Sequence, residues 1–270
     1  MKQYLRSLLT RHYNLFSKFR AIDLMKVLEY RSSFVFWVVV SVLWTCFNLV
    51  FFSILTNVSG SIGGWNKQEV FVLLGVFTII DAFTWSMFYA NMSEYASDIF
   101  DGRLSLLLCR PVNTQFYLMT RRLNPQIIFR LLLGIVIVIV NLRELQLTPS
   151  VWQWLLFFIF LSISVVFLYF FWFILTTTAF FFERLENINE VIPSFRRVWQ
   201  VPSSVFQGVI SVSLTSVIPF LLITSVPSEI LLNRLNVFSA LVFVLLTLLC
   251  GYASHLFLRF AIRHYSGAAN

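Results

Sequence analysis

Charge is scarce in this chain. Asp, Glu, Lys and Arg make up only 12% of its 270 residues, against about a quarter in soluble globular chains. A soluble domain with so few charges could not hide the 59% of its residues that are hydrophobic. Cysteine is rare as well. Cys46, Cys109 and Cys250 lie far apart with no Cys-x-x-Cys and no neighbouring His, which excludes a disulfide framework and a zinc site and leaves three small hydrophobes in a reducing context. His12, His255 and His264 are scattered, with no His-Glu-x-x-His pair for a metalloprotease. The chain also lacks a Gly-x-x-x-x-Gly-Lys-Ser/Thr phosphate loop and a Gly-x-Ser-x-Gly nucleophile site, so neither ATP hydrolysis nor serine catalysis is expected of it. No catalytic residue, metal site or resident cofactor is assigned. A cleavable signal peptide is not visible either, because the first thirty residues are punctuated by charge.

What the chain has is apolar length. Mean hydropathy is +0.82, and 31 Phe and 8 Trp supply lipid-facing surface and interfacial anchors. The net charge of +8 does not indicate nucleic acid, because the basic residues flank apolar runs instead of forming one polar patch. They read as topology determinants and contacts to lipid headgroups.

Crossing the ~30 Å hydrocarbon core takes roughly 20 apolar residues. Charge-free windows place six such spans, at about residues 34–55, 70–89, 127–141, 151–182, 205–224 and 237–258. The third is the shortest and carries Arg130 in its first turn, near enough to one end to snorkel toward headgroups. The fourth is longer than one crossing requires and is expected to tilt or project. Counting basic residues on alternate sides puts all but three of the 20 Lys and Arg on one face, the exceptions being Lys67, Arg143 and Arg234. That asymmetry requires all six spans. The expected fold is therefore an all-α, polytopic membrane protein with six transmembrane helices and both termini cytoplasmic. A transmembrane domain at 32–260 follows a segment 1–31 and precedes a cytoplasmic tail at 261–270.

Segment 1–31 reads as an amphipathic helix in the cytoplasmic interface. Leu5, Leu8, Leu9, Phe16 and Phe19 share a helical stripe, with Lys2, Arg6 and Lys18 on other faces. The longest cytoplasmic loop, 91–125, holds a leucine run bounded by Gly102 and Pro111, which is too short to cross and suits a short helix stopped by proline. An apolar strip on a cytoplasmic loop needs a covering surface, and this favours docking. Glu183, Arg184 and Glu186, at the end of the fourth span, read as a solvated helical face or a second cytoplasmic contact. On the external side, Val226 to Leu232 reads as a re-entrant or interfacial helix opened by Pro227. Asp81 is the one ionisable residue deep within a span, and an intramembrane acid is a functional candidate. It has no obvious basic partner in the sequence, and a structural place at a bundle or subunit interface weighs against a proton or cation site.

Three sequence stretches then carry a resemblance. The first is Gly102-x-Leu104-x-x-Leu107-Leu108-x-Arg110-Pro111-Val112. The second is Phe181-Phe182-Glu183-Arg184-x-Glu186-Asn187. The third is Val201-Pro202-x-x-Val205-Phe206-x-Gly208 leading to Val217-Ile218-Pro219-Phe220 and Pro227. In order and position they resemble the permease (transmembrane) subunits of ATP-binding-cassette (ABC) transporters of the type-2 family, bacterial six-span branch. Ser105 stands where that branch carries Asp, and Val201 where it carries an aromatic residue.

The resemblance implies an exporter of hydrophobic or amphipathic small molecules in the inner membrane, with Phe83, Trp85 and Phe88 suited to an apolar path. It implies a homo- or heterodimer of permeases docked on a separate ATPase subunit that binds ATP and Mg. Gly102, Leu104, Leu107, Leu108, Arg110 and Pro111 would form the coupling helix. The rival readings are an ion-coupled carrier using Asp81 and a membrane scaffold without transport.

Overall fold

The computed structural model describes residues 2–109, 113–182, 188–206 and 219–264, with the backbone alone for residues 2–15. Arg110, Pro111, Glu183, Arg184 and Glu186 lie outside the described residues, as does most of the expected fifth span. The described chain is helical, its one β-type pairing being an isolated bridge between Ile62 and Trp65.

Helix α1 (Lys2–Glu29) meets α2 (Arg31–Ser59) at Tyr30. A turn with positive φ at Gly60, Gly63 and Gly64 then reverses the chain into α3 (Lys67–Phe83). Positive φ is open to glycine at no steric cost. The start of α3 is defined by a capping box, in which the Glu69 carboxylate accepts from the Asn66 N–H at 2.8 Å. The helix continues through a π turn at Thr84–Phe88 into α4 (Tyr89–Phe100). Helix α5 (Leu104–Leu108) and α6 (Thr114–Thr120) are short. Helix α7 (Ile127–Glu144) and α8 (Val151–Thr177) are long, α8 opening on a second capping box at Ser150 and Gln153. Short 3₁₀ turns and α9 (Val191–Ser194) fill residues 188–205. Helix α10 (Leu222–Leu231) and α11 (Val237–His264) complete the described fold.

Among the described residues, four helical stretches are long and apolar enough to cross a membrane: Arg31–Ser59, Lys67–Phe100, Val151–Phe180 and Val237–His264. Helix α7 coincides with the expected third span but places Arg130, Arg143 and Glu144 within its 18 residues; it is about 27 Å long at 1.5 Å per residue. The expected fifth span, 205–224, differs at both described ends. Ser203–Val205 is a 3₁₀ turn, residues 207–218 lie outside the described residues, and a separate helix starts at Leu222.

The α3–α4 rod is the axis of the bundle, with 78% of its most apolar stretch buried in protein, against 17% for α2 and 22% for α11. The outer helices thus present wide apolar faces to their surroundings, the arrangement expected where lipid is the solvent. Helix α3 crosses α7 at Gly75 and Gly134. A Cβ on Gly75 would lie 3.0 Å from the Gly134 carbonyl, and one on Gly134 would lie 2.8 Å from the Gly75 carbonyl. Two backbones in contact are the signature of small-residue packing between membrane helices, where dispersion must replace the hydrophobic effect.

The segment expected as a re-entrant or interfacial helix opened by Pro227 is helical, but the helix, α10, begins at Leu222 and holds Pro227 in its interior, and it is buried. Proline removes the N–H that the Ile223 carbonyl, one turn back, would accept. The Ser164 hydroxyl of α8 donates to that carbonyl at 2.7 Å, so the helix continues.

Candidate functional site

Two groups of residues carry chemistry. The first surrounds Asp81. Helix α3 brings its carboxylate to 5% exposure, and two arginines reach it from distant parts of the chain. Arg196 donates from Nε to Oδ1 and from Nη2 to Oδ2, both at 2.8 Å, a bidentate pairing that matches guanidinium to carboxylate. Arg130 donates from Nη1 to Oδ2 at 3.1 Å and from Nε to the Ser41 hydroxyl at 3.1 Å. The Arg196 guanidinium also lies over three rings, Trp85 at 5.3 Å, Phe77 at 5.7 Å and Trp44 at 5.8 Å, where ring quadrupoles favour a cation.

This corrects two expectations. Asp81 has basic partners, and Arg130 turns inward to it instead of snorkelling outward, because the glycine crossing brings the start of α7 against α3. Above the ion group a cavity of about 20 Å³ is lined by Ser41, Thr45, Asn48 and Thr78, room for about one water molecule. Below it, a groove of about 370 Å³ runs between the α1–α2 elbow and the 121–126 segment, lined by Lys26, Tyr30, Trp37, Trp85, Arg122 and others. Trp85 belongs to both the groove and the arginine-stacking cluster.

The second group is the 91–125 loop. Gly102 has φ +69° and turns the chain from α4 into α5, where the Ser105 hydroxyl donates to the Gly102 carbonyl at 2.8 Å. The leucines there divide. Leu104 is fully buried, Leu107 and Leu108 are half-buried, and Leu106 is 70% exposed. Leu106 is the outward residue, and the sequence pattern did not single it out. Phe88, expected on a path, is fully buried in the core beside Tyr169; Phe83 and Trp85 are half-buried.

Polar contacts anchor this loop to the bundle. The π turn coincides with a Ser86 carbonyl that accepts from the Asn124 N–H at 2.7 Å. The Asn91 amide reaches the Met119 carbonyl at 2.8 Å and the Arg122 carbonyl at 2.9 Å, and accepts from the Arg122 N–H at 3.1 Å. Arg121 pairs with Asp98 and Arg122 with Glu94. Helix α1 joins them. Arg20 donates to the Thr120 carbonyl, and the Asp23 carboxylate accepts from the Leu123 N–H at 3.0 Å. Burial raises the Asp23 carboxyl above its ordinary value, opposed by Arg20, the Leu123 N–H, Lys26 and Arg122.

Four apolar helices of membrane-crossing length among the described residues define the class as a multi-pass membrane protein. Residues 42–269 match the family described as ABC-2 family transporter protein, and the chain belongs to that family. The match begins inside α2 and leaves α1 outside it. No curated protein and no solved structure matches.

The three cysteines are free, Cys46 and Cys109 exposed, and no group of three or more His, Cys, Asp or Glu that could hold a metal occurs among the described residues.

Proposed function

We propose that this chain is the permease subunit of an ATP-driven exporter of hydrophobic or amphipathic small molecules in the inner membrane. It would cross the membrane six times with both termini cytoplasmic, pair with a second copy or a related permease, and bind no nucleic acid. ATP and Mg would sit on a separate ATPase subunit; this chain would hold no cofactor and catalyse no reaction. Lipids contact its outer helices.

The observation that carries this reading is the family match together with α5. Five residues expose Leu106 on a loop that ion pairs and amide contacts tie to the α3–α4 rod and to α1. A push on such a loop is transmitted to the spans, because packed helices move as rigid bodies. Gly102, Leu104, Leu107 and Leu108 shape α5, and Arg110 and Pro111 follow it in sequence. Glu183, Arg184 and Glu186 would add a second cytoplasmic contact.

The carrier alternative draws less support from the site than it does from the sequence, since Asp81 is already engaged by two guanidiniums. A scaffold without transport would leave the paired arginines and the adjoining groove without a role.

Co-purification tests the proposal. The detergent-solubilised chain, co-expressed with ABC-transporter ATPase subunits from its own source, should elute with one of them as a complex whose ATPase rate responds to transported molecules. Elution without any ATPase subunit would overturn the reading.

A further inference from the structure

Lys26, in the last turn of α1, carries a charge that no acid pairs with among the described residues. Asp23, one turn earlier, is engaged by Arg20 at 3.2 Å and by the Leu123 N–H at 3.0 Å. Arg122 gives its Nε to Glu94, and its side chain is 52% exposed, with both Nη nitrogens free of bonds to described residues. The charges of Lys26 and Arg122 both reach Asp23, so the two cations share one neighbourhood. There Arg20, Lys26 and Arg122 face only two carboxylates, those of Asp23 and Glu94. One positive charge is left over.

Lys26 and Arg122 both line the groove between the α1–α2 elbow and the 121–126 segment. Along the chain its lining passes from Lys26 on α1 to Phe34 and Trp37 in the first turns of α2, with Trp85 of the π turn added from the rod. Arg31 is the last charged residue before Lys67, so the groove lies where charge gives way to a charge-free span. That is the level of the membrane–water boundary, where tryptophan and basic residues meet headgroups. Helix α2 is only 17% buried over its most apolar stretch, and Tyr30 and Trp37 are exposed, which leaves the groove open toward lipid. Its volume of about 370 Å³ falls within the range of small-molecule pockets. It has room for a headgroup, with acyl chains continuing along the exposed Val35 and Val39 of α2. A dissolved anion would leave the aromatic wall unused, and an uncharged lipid would leave the surplus charge unmatched.

We propose that this groove binds one acidic phospholipid of the leaflet on the α1 side, its phosphate held by Lys26 and Arg122 and its glycerol and first chain carbons against Trp37 and Trp85. The lipid joins four parts of the fold, since α1, α2, the α3–α4 rod and the 121–126 segment all contribute to the lining. This goes beyond the permease reading and needs neither cargo nor an ATPase.

Native mass spectrometry of the purified full-length chain, released from an uncharged detergent, tests this by titration with dioleoyl phosphatidylglycerol and dioleoyl phosphatidylcholine. The acyl chains are the same, so any difference reports the head. One phosphatidylglycerol should bind about tenfold or more tighter than phosphatidylcholine. Lys26→Gln and Arg122→Gln should each weaken phosphatidylglycerol about fivefold, the worth of one basic residue near a lipid surface, and leave phosphatidylcholine unchanged. Lys26→Arg should retain the preference. Phosphatidylglycerol should also raise the melting midpoint of the wild type more than that of Lys26→Gln, because a ligand of the folded state stabilises it by mass action.

Equal affinity for the two lipids overturns the proposal, as does unchanged phosphatidylglycerol binding in Lys26→Gln. An equal loss in Arg259→Gln, an exposed position on α11 outside the groove, marks diffuse attraction to the surface and overturns the site. Displacement of phosphatidylglycerol by inorganic phosphate marks an occupant held by charge alone and overturns the lipid. Should Arg122→Gln fail to fold for want of its pair with Glu94, Lys26→Gln decides, because the exposed Lys26 leaves no acid unpaired when it is replaced. The assay contains no ATPase, so its failure leaves the permease reading standing.

Discussion

The Ser164 hydroxyl donates to the Ile223 carbonyl at 2.7 Å, the acceptor that Pro227 leaves without its helical N–H. A buried carbonyl with no donor is expensive where water is absent, so α8 supplies from outside what α10 cannot supply from within. Ser164→Ala should lower thermal stability in detergent by about 1 kcal/mol, a typical worth for one such bond. Pro227→Ala restores the missing N–H, so the double variant should lose much less than the serine variant alone. A double-mutant cycle from thermal unfolding checks this, and strictly additive losses would show that the two positions are not coupled.

The glycine crossing of α3 and α7 makes a sharper demand. A Cβ at Gly75 would meet Val138 Cγ2 at 2.7 Å, and one at Gly134 would meet Ile79 Cγ1 at 2.6 Å, with backbone carbonyls at 3.0 Å or less behind each. Side chains can shift, but the facing backbones cannot without separating the helices. Gly75→Ala and Gly134→Ala should each cost about 1–3 kcal/mol, and they should also loosen the Arg130–Asp81 pair that the crossing sets. Gly64→Ala serves as contrast: no atom lies within 4 Å of its Cβ, so only its positive φ opposes the change. Unfolding midpoints of the three variants should separate accordingly.

Much of this architecture could be read from the sequence because hydrocarbon thickness dictates element length. Charge-free windows recover α2, α3, α8 and α11, and the short third window recovers α7. The site was less legible. Asp81 stood out as a lone intramembrane acid, but its partners lie 49 and 115 positions away, and only the glycine crossing and the 3₁₀ turn at Phe195–Gln200 bring them to it. Arg130 near a helix end reads as a headgroup contact until that crossing is known. Pro227 reads as a helix opener for the same reason, since the hydroxyl that lets the helix pass through it lies on α8. In α5 the spacing of four leucines marks an apolar strip, but the direction in which each points depends on how Gly102 turns the chain.

That division of the leucines gives a further test. Leu104 is fully buried against the bundle and Leu106 is 70% exposed. Leu104→Ala should destabilise the whole chain by about 2–5 kcal/mol, as truncations in a packed core do. Leu106→Glu should leave unfolding and membrane insertion as in the wild type while abolishing stimulation of the partner ATPase. Glutamate at Leu107 or Leu108, which are half-buried, should lower both. Parallel measurements of insertion, melting and ATPase rate would sort the three, and an intact ATPase response in Leu106→Glu would remove α5 as the contact.

The α1 anchor at Asp23 should respond to acid in the direction opposite to an ordinary surface ion pair. Burial raises the docked carboxyl above the value it has when α1 is free, despite the nearby Arg20 and Lys26. A group that holds its proton more tightly in the docked state favours that state as protons become available. Docking is therefore weakest when the carboxyl is ionised above the raised value. It strengthens as pH falls through that value, and the gain is complete below the ordinary carboxyl range. Hydrogen exchange at the Leu123 amide, whose N–H donates to Asp23 at 3.0 Å, reports the docking directly. After correction for intrinsic rates, protection of Leu123 should rise between neutral pH and pH about 4. Asp23→Asn keeps an acceptor without a titrating proton and should flatten the profile, and a loss of protection on acidification of the wild type would show that the salt link to Arg20, not burial, governs the contact.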